Sequence, residues 1–468
     1  MTFFKLQNEL SAGNTSCFEI VSAFIENIRS KQDLNSYVEV FEDSALSRAK
    51  EIDKKIEAGT QGKLAGLVVS IKDLLCYDQH HVSGGSKILE GFESQFTSSA
   101  VQRLLDEDAI IIGRTNCDEF GMGSSNENSA YGPVKNALDT SRVPGGSSGG
   151  AAVSVQQGSC HVAIGSDTGG SVRQPASFCG LYGLKPTYSR ISRYGLLAYA
   201  SSFDTIGLFS KDIESCELVY QTIAGHDPLD STSANKSVNI APAEKKAPYK
   251  IAILKNAFAD EGLQGEVKDH FQASIEKLKN AGNTIEEVDF PLMDYILPTY
   301  YILTTAEASS NLSRYDGVRY GYRAPKTKNL ESLYKMSRSG GFGDEVKRRI
   351  FLGTFVLSAS YYDAYYTRAQ KARRLIRQAT KKMFEDFDFV ISPTSATTAF
   401  KLGEHASDPL AMYLSDLYTV QASVAGIPAI VIPDGQDKNG LPIGLQVMAD
   451  DFKEQDLFSF SEYLKHIG

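Results

Sequence analysis

The feature that most constrains this chain is a glycine-rich block. Twelve of its 39 glycines fall between Gly145 and Gly207, although the chain runs to 468 residues. The block holds two serine-bearing stretches, Gly145-Gly146-Ser147-Ser148-Gly149-Gly150 and Gly165-Ser166-Asp167-Thr168-Gly169-Gly170-Ser171. Glycine accepts positive φ and lets another group come close to its backbone. Loops built this way present N–H groups to an anion, either a phosphate or a tetrahedral oxyanion.

The phosphate reading fails on detail. A P-loop needs G-x-x-x-x-G-K-[ST], and neither stretch supplies the lysine or the spacing. The dinucleotide pattern G-x-G-x-x-G is absent from the block as well. Acyl chemistry on a serine remains, and it needs a base. Only seven histidines exist, and His80, His81 and His161 carry no triad context. Lys72 is the alternative. It follows the apolar run Leu67-Val68-Val69-Ser70-Ile71, where burial would lower its pKa and make a neutral amine available. Serine–lysine pairs are a known substitute for the histidine triad. On position alone, a surface or salt-bridged lysine is the commoner explanation of Lys72.

Periodicity places these residues in an α/β chain. Ser16 to Glu19 fits a capping box that opens a helix, with Ile20, Phe24 and Ile28 as its apolar stripe. A second helix is expected from Asp43 to Ile56, and others over Ala100–Leu105, Ala151–Gln157, Glu266–Ala281 and Asp344–Phe384. Short apolar runs at Leu67–Ile71, Ala109–Ile112, His161–Ile164, Tyr249–Leu254, Phe387–Ile391, Ala429–Ile432 and Ile443–Val447 read as strands. Strands alternate with helices through most of the length, the signature of an α/β class. Residues 165–171 are expected to form a loop. The polar stretch 228–248 reads as a surface connection.

Composition excludes several classes. Net charge is −9, which argues against a large phosphate-binding surface. The basic runs at Lys245-Lys246 and Lys371-Ala372-Arg373-Arg374 are local, and the second fits a solvated helix face. Six cysteines stand apart with no C-x-x-C pair, so buried reduced thiols are expected rather than a zinc or redox motif. No stretch approaches the ~18 apolar residues of a membrane span, and the N-terminus shows no apolar signal core. A cytoplasmic location is the expectation.

Taken together, SIKDLL, PGGSSGG and AIGSDTGGSVRQPASFCGLYGLKPT resemble the amidase signature family, over a segment from Val68 to about Ser201. That family works through a Ser–cis-Ser–Lys group. By motif position the resemblance implies Lys72 as base, Ser147 as bridging serine and Ser171 as nucleophile. Ser147 and Lys72 stand 24 and 99 residues before Ser171. It further implies an oxyanion hole from Thr168, Gly169 and Gly170. The implied fold is one large amidase domain over 1–468, with its signature core at about 67–210 and helices on both faces of a mixed sheet.

Further segments narrow the resemblance. EFGMGSSNENSAYGPVKN, RYGLLAYASSFDTIG, EASSNLSRYDGVRYGYR, GFGDEVKRRIFLGTFVLSASYYDAYYTRAQKARRLI and MYLSDLYTVQASVAGIPAIVIP are similar to the branch that hydrolyses glutamine within glutamyl-tRNA(Gln) amidotransferases. That branch implies Arg349 for the glutamine α-carboxylate and Asp416 for its α-amino group. An Arg fork suits a carboxylate, so the chemistry agrees. One of Tyr300 and Tyr301 would line the same pocket. The chain departs from the branch at Ser423, where an asparagine is usual. The branch implies no metal or cofactor in this chain. It implies two companion subunits, one of which uses ATP and Mg to amidate misacylated Glu-tRNA(Gln). The rival expectations are a stand-alone amidase acting on a small amide, a silent scaffold, and a nucleotide-binding protein.

Overall fold

The protein is described by a computed structural model over residues 2–239, 241, 247–255, 262–405, 408, 412–413 and 415–467. Eleven strands form one mixed sheet: β1 Tyr37–Val40, β2 Val68–Lys72, β3 Ile110–Thr115, β4 Val162–Asp167, β5 Tyr182–Lys185, β6 Thr205–Ser210, β7 Lys250–Leu254, β8 Thr284–Val288, β9 Phe389–Pro393, β10 Ala429–Gln436 and β11 Pro442–Met448. Their order is β1-β3-β2-β4-β6-β5-β10-β11-β9-β7-β8. β2 runs parallel to both β3 and β4, and β7 runs parallel to both β8 and β9. The sheet is joined across its middle by antiparallel pairing of β5 with β10. Strands from before and after the polar stretch therefore share one sheet, and the chain folds as a single domain. Much of that stretch is exposed, and its residues 240 and 242–246, including Lys245 and Lys246, lie outside the described residues.

Helices flank the sheet: α1 Phe3–Ser11, α2 Cys17–Ser30, α3 Glu42–Glu57, α4 Ser99–Asp106, α5 Gly149–Gln156, α6 Arg173–Cys179, α7 Ile213–Ile223, α8 Gly265–Asn280, α9 Met293–Asn311, α10 Leu330–Gly341, α11 Asp344–Val356, α12 Arg368–Met383, α13 Val420–Ala425 and α14 Glu454–His466. Alternation along the strands creates two cores. In β7, Ile251 and Ile253 pack into one core with Phe271 and Ile275 of α8. Ala252 and Leu254 pack into the other with Leu303 of α9 and Ile376 of α12.

Several expectations hold and several shift. Ser16 accepts from the Glu19 N–H while the Glu19 carboxylate accepts from the Ser16 N–H, a complete capping box. The buried stripe of α2 is Cys17, Val21, Ile25 and Ile28, with Ile20 and Phe24 at its edge. The helix is rolled by about one residue because α3 packs on that side. The expected single helix from Asp344 to Phe384 is two helices. It breaks after Val356 at Ser358-Ala359-Ser360 and resumes through a wide π turn, Asp363–Thr367. All six cysteines are buried and unpaired by disulfide. Among the described residues no helix is long and apolar enough to cross a membrane.

Candidate active site

Lys72 is the last residue of β2, not the first residue after it. The parallel neighbours β3 and β4 bury it completely. The desolvated amine is satisfied by three hydroxyls. Nζ donates to Oγ of Ser147 at 2.7 Å, of Ser148 at 2.9 Å and of Ser166 at 2.9 Å. Burial lowers the Lys72 pKa, opposed by Cys117, Asp118, Asp167 and Asp204 nearby. Ser148 has no proton to return to the lysine, since its Oγ donates to the Ser166 carbonyl at 3.0 Å. Ser148 and Ser166 were not among the expected site residues. Both sit inside the quoted motifs, and their adjacency to Lys72 depends on the pairing of β2 with β4.

Ser147 is carried by the glycine turn before α5, and the Gly146–Ser147 peptide is cis. The turn is pressed against a buried carboxylate. A Cβ on Gly146 would lie 2.2 Å from Asp118 Oδ2, so glycine is required for this approach. Asp118 is held by the N–H groups of Asn126 and Asn128, both at 2.9 Å. Its own N–H donates to the Ser147 carbonyl at 3.1 Å. Burial pushes its pKa up to about 6, against those two backbone donors.

Ser171 stands in the loop after β4. β4 extends to Asp167, so residues 165–167 are strand and the loop begins at Thr168. Antiparallel pairing with β6 through Asp167 and Thr205 causes the extension. The Ser171 carbonyl accepts from the Ser148 N–H at 3.2 Å, tying the two glycine loops together. Exposure grades across the group: Lys72 is 0%, Ser147 1% and Ser171 8% exposed. Ser171 is the least buried of the three. Thr168 is fixed by its hydroxyl, which donates to Asp204 at 2.7 Å. Gly170 has φ +145°, and a Cβ there would meet Thr419 Oγ1 at 2.2 Å. That hydroxyl donates to the Gly169 carbonyl at 2.6 Å.

Behind Ser171 lies a buried ion pair that sequence reading missed. Arg173 binds Asp167 in a two-pronged contact at 2.9 and 3.0 Å. Burial works against the Asp167 charge, yet Arg173 holds its pKa below the usual carboxylate value. The remaining Arg173 donors go to the Thr419 carbonyl, Gln446 and Ser423 Oγ, the last at 2.9 Å. Ser423 therefore fills its position as an acceptor for Arg173.

A second group converges from the C-terminal half. Tyr301 on α9 donates its hydroxyl to Asp416 Oδ2 at 2.8 Å, and Ser124 donates to Oδ1 at 2.9 Å. Burial raises the Asp416 pKa to about 6, against these two donors and Arg349. Arg349 on α11 is buried within an aromatic box. Its guanidinium lies 5.5–5.7 Å from the ring centres of Tyr199, Tyr301 and Tyr413. It donates to Glu345 and to the Tyr199 hydroxyl, both at 2.8 Å. Burial opposes its charge, but the tyrosines and Glu345 keep its pKa above the usual arginine value. Arg349 is paired with Glu345 and not with Asp416. A buried cation and a buried carboxylate thus share one region without neutralising each other. Tyr300 points elsewhere, into the space beside Gly169, where a Cβ would lie 2.4 Å from its hydroxyl. Glu345, Tyr199, Tyr413 and Ser124 were not foreseen, although Glu345 stands one helical turn before Arg349. The histidines stay outside both groups: His161 Nδ1 accepts from the Val68 N–H, and His80 stacks on Tyr77.

A model of the family described as amidase matches residues 19–458. A glutamyl-tRNA(Gln) amidotransferase subunit from Koribacter versatilis is 51% identical over 96% of this chain and 94% of its own. The crystal structure of the corresponding glutamyl-tRNA(Gln) amidotransferase subunit from Thermotoga maritima superposes with a TM-score of 0.79 at 36% identity, covering 95% of this chain and 90% of its own. The peptide amidase from Stenotrophomonas maltophilia gives the same TM-score at 25% identity, over 98% and 95% of the two chains.

Proposed function

The chain belongs to the amidase family, and we propose that within it this protein is the glutamine-hydrolysing subunit of a glutamyl-tRNA(Gln) amidotransferase. The observation that carries the reading is the coexistence of two sites. A buried Lys72–Ser147 hydrogen bond ends on a loop tied to the one that carries Ser171, and a separate Arg349 and Asp416 remain unpaired with each other. A small neutral amide needs the first and has no use for the second. Free glutamine needs both, because its backbone end presents an ammonium and a carboxylate.

In the reaction, Asp416 receives the α-ammonium and Arg349 the α-carboxylate. Tyr301 holds Asp416 in place. Ser171 Oγ attacks the side-chain amide carbon while Ser147 takes its proton and passes its own to neutral Lys72. The loop N–H groups of Thr168, Gly169 and Gly170 receive the developing oxyanion, a contribution of about 3 kcal/mol per donor in comparable sites. Collapse of the tetrahedral centre breaks the C–N bond, and the proton returns through Ser147 to the leaving ammonia. Water then hydrolyses the γ-glutamyl ester on Ser171, releasing glutamate. Lys72 suits the base role because burial favours its neutral form, and Ser148 and Ser166 accept its two other protons.

The ammonia passes to a companion subunit that consumes ATP with Mg and amidates misacylated Glu-tRNA(Gln). A third, small subunit completes a cytoplasmic heterotrimer. The steps in this chain use no metal and no cofactor.

The test uses the purified complex. Ser171→Ala should lose glutamine hydrolysis by at least about 10⁴-fold, the scale of losing a covalent nucleophile. It should still form Gln-tRNA(Gln) when ammonium chloride replaces glutamine. Retained glutaminase activity in that variant would overturn the reading.

A further inference from the structure

Helix α11 has two faces with opposite character. Its inner face buries Val346, Arg349, Gly353 and Val356. Gly353 sits directly on α9, since a Cβ there would lie 2.0 Å from the Thr305 carbonyl oxygen. The outer face is apolar and open. Phe351 is 72% exposed, and Leu352 and Phe355 are each 43% exposed. These three line a shallow depression of about 500 Å³ together with Asp344, Lys347 and Arg348. The apolar surface continues past the helix end: Phe355 packs on Tyr361 at 4.2 Å and on Tyr365 at 5.9 Å between ring centres. Seven of the 18 large hydrophobic side chains exposed among the described residues fall in the 25 positions from Phe351 to Leu375. Such a concentration is a patch, not the scatter expected of an ordinary surface.

Asp344 and Glu345 bridge Lys347 and Arg348 on the α11 side of the patch, and on the α12 side basic side chains predominate. α12 begins directly after Tyr365, Tyr366 and Thr367, and it shows solvent Arg368, Lys371 and Arg374. Three other basic groups of α12 are engaged: Arg377 and Lys381 bind Asp451, and Arg373 binds Ser202. No ion pair is formed by Arg368, Lys371 or Arg374 within the described residues.

We propose that this ledge, the outer face of α11 with the tyrosines and basic border that follow it, is the docking surface for an acidic, apolar-faced segment of a companion subunit. The apolar rings would be covered by side chains of that segment, and its carboxylates would answer the Arg368, Lys371 and Arg374 side chains. Nucleic acid fits less well. The cations would suit its phosphates, but the wide-open Phe351 and Leu352 offer a backbone nothing. The proposal rests on the functional reading above, which supplies the companion subunits. It adds where one of them sits: on the back of the helix whose front holds Arg349.

The experiment co-expresses the chain with the companion subunits of the same organism and measures assembly by sedimentation. Phe351→Ser with Phe355→Ser, and separately Arg368→Glu with Lys371→Glu, should each weaken assembly at least tenfold. The second pair should also flatten the salt dependence of assembly. Unchanged melting of each free variant shows that the fold is intact, and the charge pair keeps the test valid if the serine pair does not fold. Wild-type assembly in both variants overturns the proposal. So does a loss confined to tRNA binding, which marks a nucleic-acid face, or to self-association of the free chain, which marks a second copy. If the unaltered chain does not assemble with the companion subunits at all, the functional reading falls with it, and the two failures are told apart.

Discussion

Lys72, Ser147 and Ser171 stand on a strand end and two glycine turns, whereas Tyr301, Arg349 and Asp416 come together from two helices and the turn before α13. The first group is placed by backbone. Sheet pairing fixes Lys72, and close approaches that admit no Cβ fix the loops at Gly146 and Gly170. The second group is placed by side chains packed on side chains, with Arg349 boxed by three tyrosines. The contrast predicts different failure modes. Damage to the first should appear in kcat with substrate affinity kept. Damage to the second should appear in KM with the chemistry kept.

The sharpest separation comes from Lys72→Met, which keeps the length and apolar stem but removes the amine. Loss of a positioned general base costs about 10²–10⁴ in rate. Here the loss should sit near the upper end, because three hydroxyls lose their shared donor at once. The pH profile adds a signature. The neutral amine fraction grows as pH rises, so kcat should rise with pH and level off above a pKa depressed below the usual lysine value. In Lys72→Met that rise should vanish. A kcat within tenfold of the parent would remove Lys72 from the reaction.

Next in size is Arg349→Lys. It retains a charge but not the planar fork, and the shorter reach leaves Glu345 and the Tyr199 hydroxyl without their partner. A hydrogen bond to a charged group is worth about 1.5–3 kcal/mol, so KM for glutamine should rise about 10- to 100-fold. Steady-state kinetics at saturating glutamine should find kcat nearly intact. A fall in kcat with unchanged KM would erase the division between the two groups.

These two groups also differed in how legible they were. The glycine block drew attention to the serines of two loops, and the resemblance then singled out Lys72, Ser147 and Ser171 before any fold was known. Ser148 and Ser166 escaped because their role depends on which strand pairs with β2. The expected helix from Asp344 to Phe384 shows the limit of periodicity: an apolar repeat does not register the break at Ser358–Ser360, because apolar and aromatic residues continue on both sides of it. The Arg349 box was the least readable. Its walls come from Tyr199, Tyr301 and Tyr413, and no local pattern links positions so far apart. The resemblance supplied Arg349 and Asp416, but not Glu345 or Tyr199, which hold the arginine in place.

A smaller effect follows from Asp416. Burial raises its pKa to about 6 in the free protein. Only the carboxylate form can receive an ammonium, and that form is lost as pH falls through about 6. KM for glutamine should therefore be flat above pH 7 and rise about tenfold for each unit below that pKa. Asp416→Asn should show a high KM with no such slope. A parent enzyme whose KM ignores pH between 5 and 7 would mean that Asp416 does not bind the substrate.

The smallest effect decides between neighbouring tyrosines. The Tyr301 hydroxyl donates to Asp416 and so favours its charged form, while Tyr300 faces Gly169. Tyr301→Phe removes a donor from a carboxylate that keeps Ser124 as its other one. Near pH 8 Asp416 remains ionised without it, so KM should change only a few-fold. The loss should instead show in the pH dependence. With one donor gone and burial unchanged, the Asp416 pKa moves above about 6, and the rise in KM begins at a higher pH than in the parent. Tyr300→Phe removes no donor from Asp416 and should leave that profile in place. A shifted profile in Tyr300→Phe, or an unshifted one in Tyr301→Phe, would show that the carboxylate is governed by groups other than the side chain now touching it.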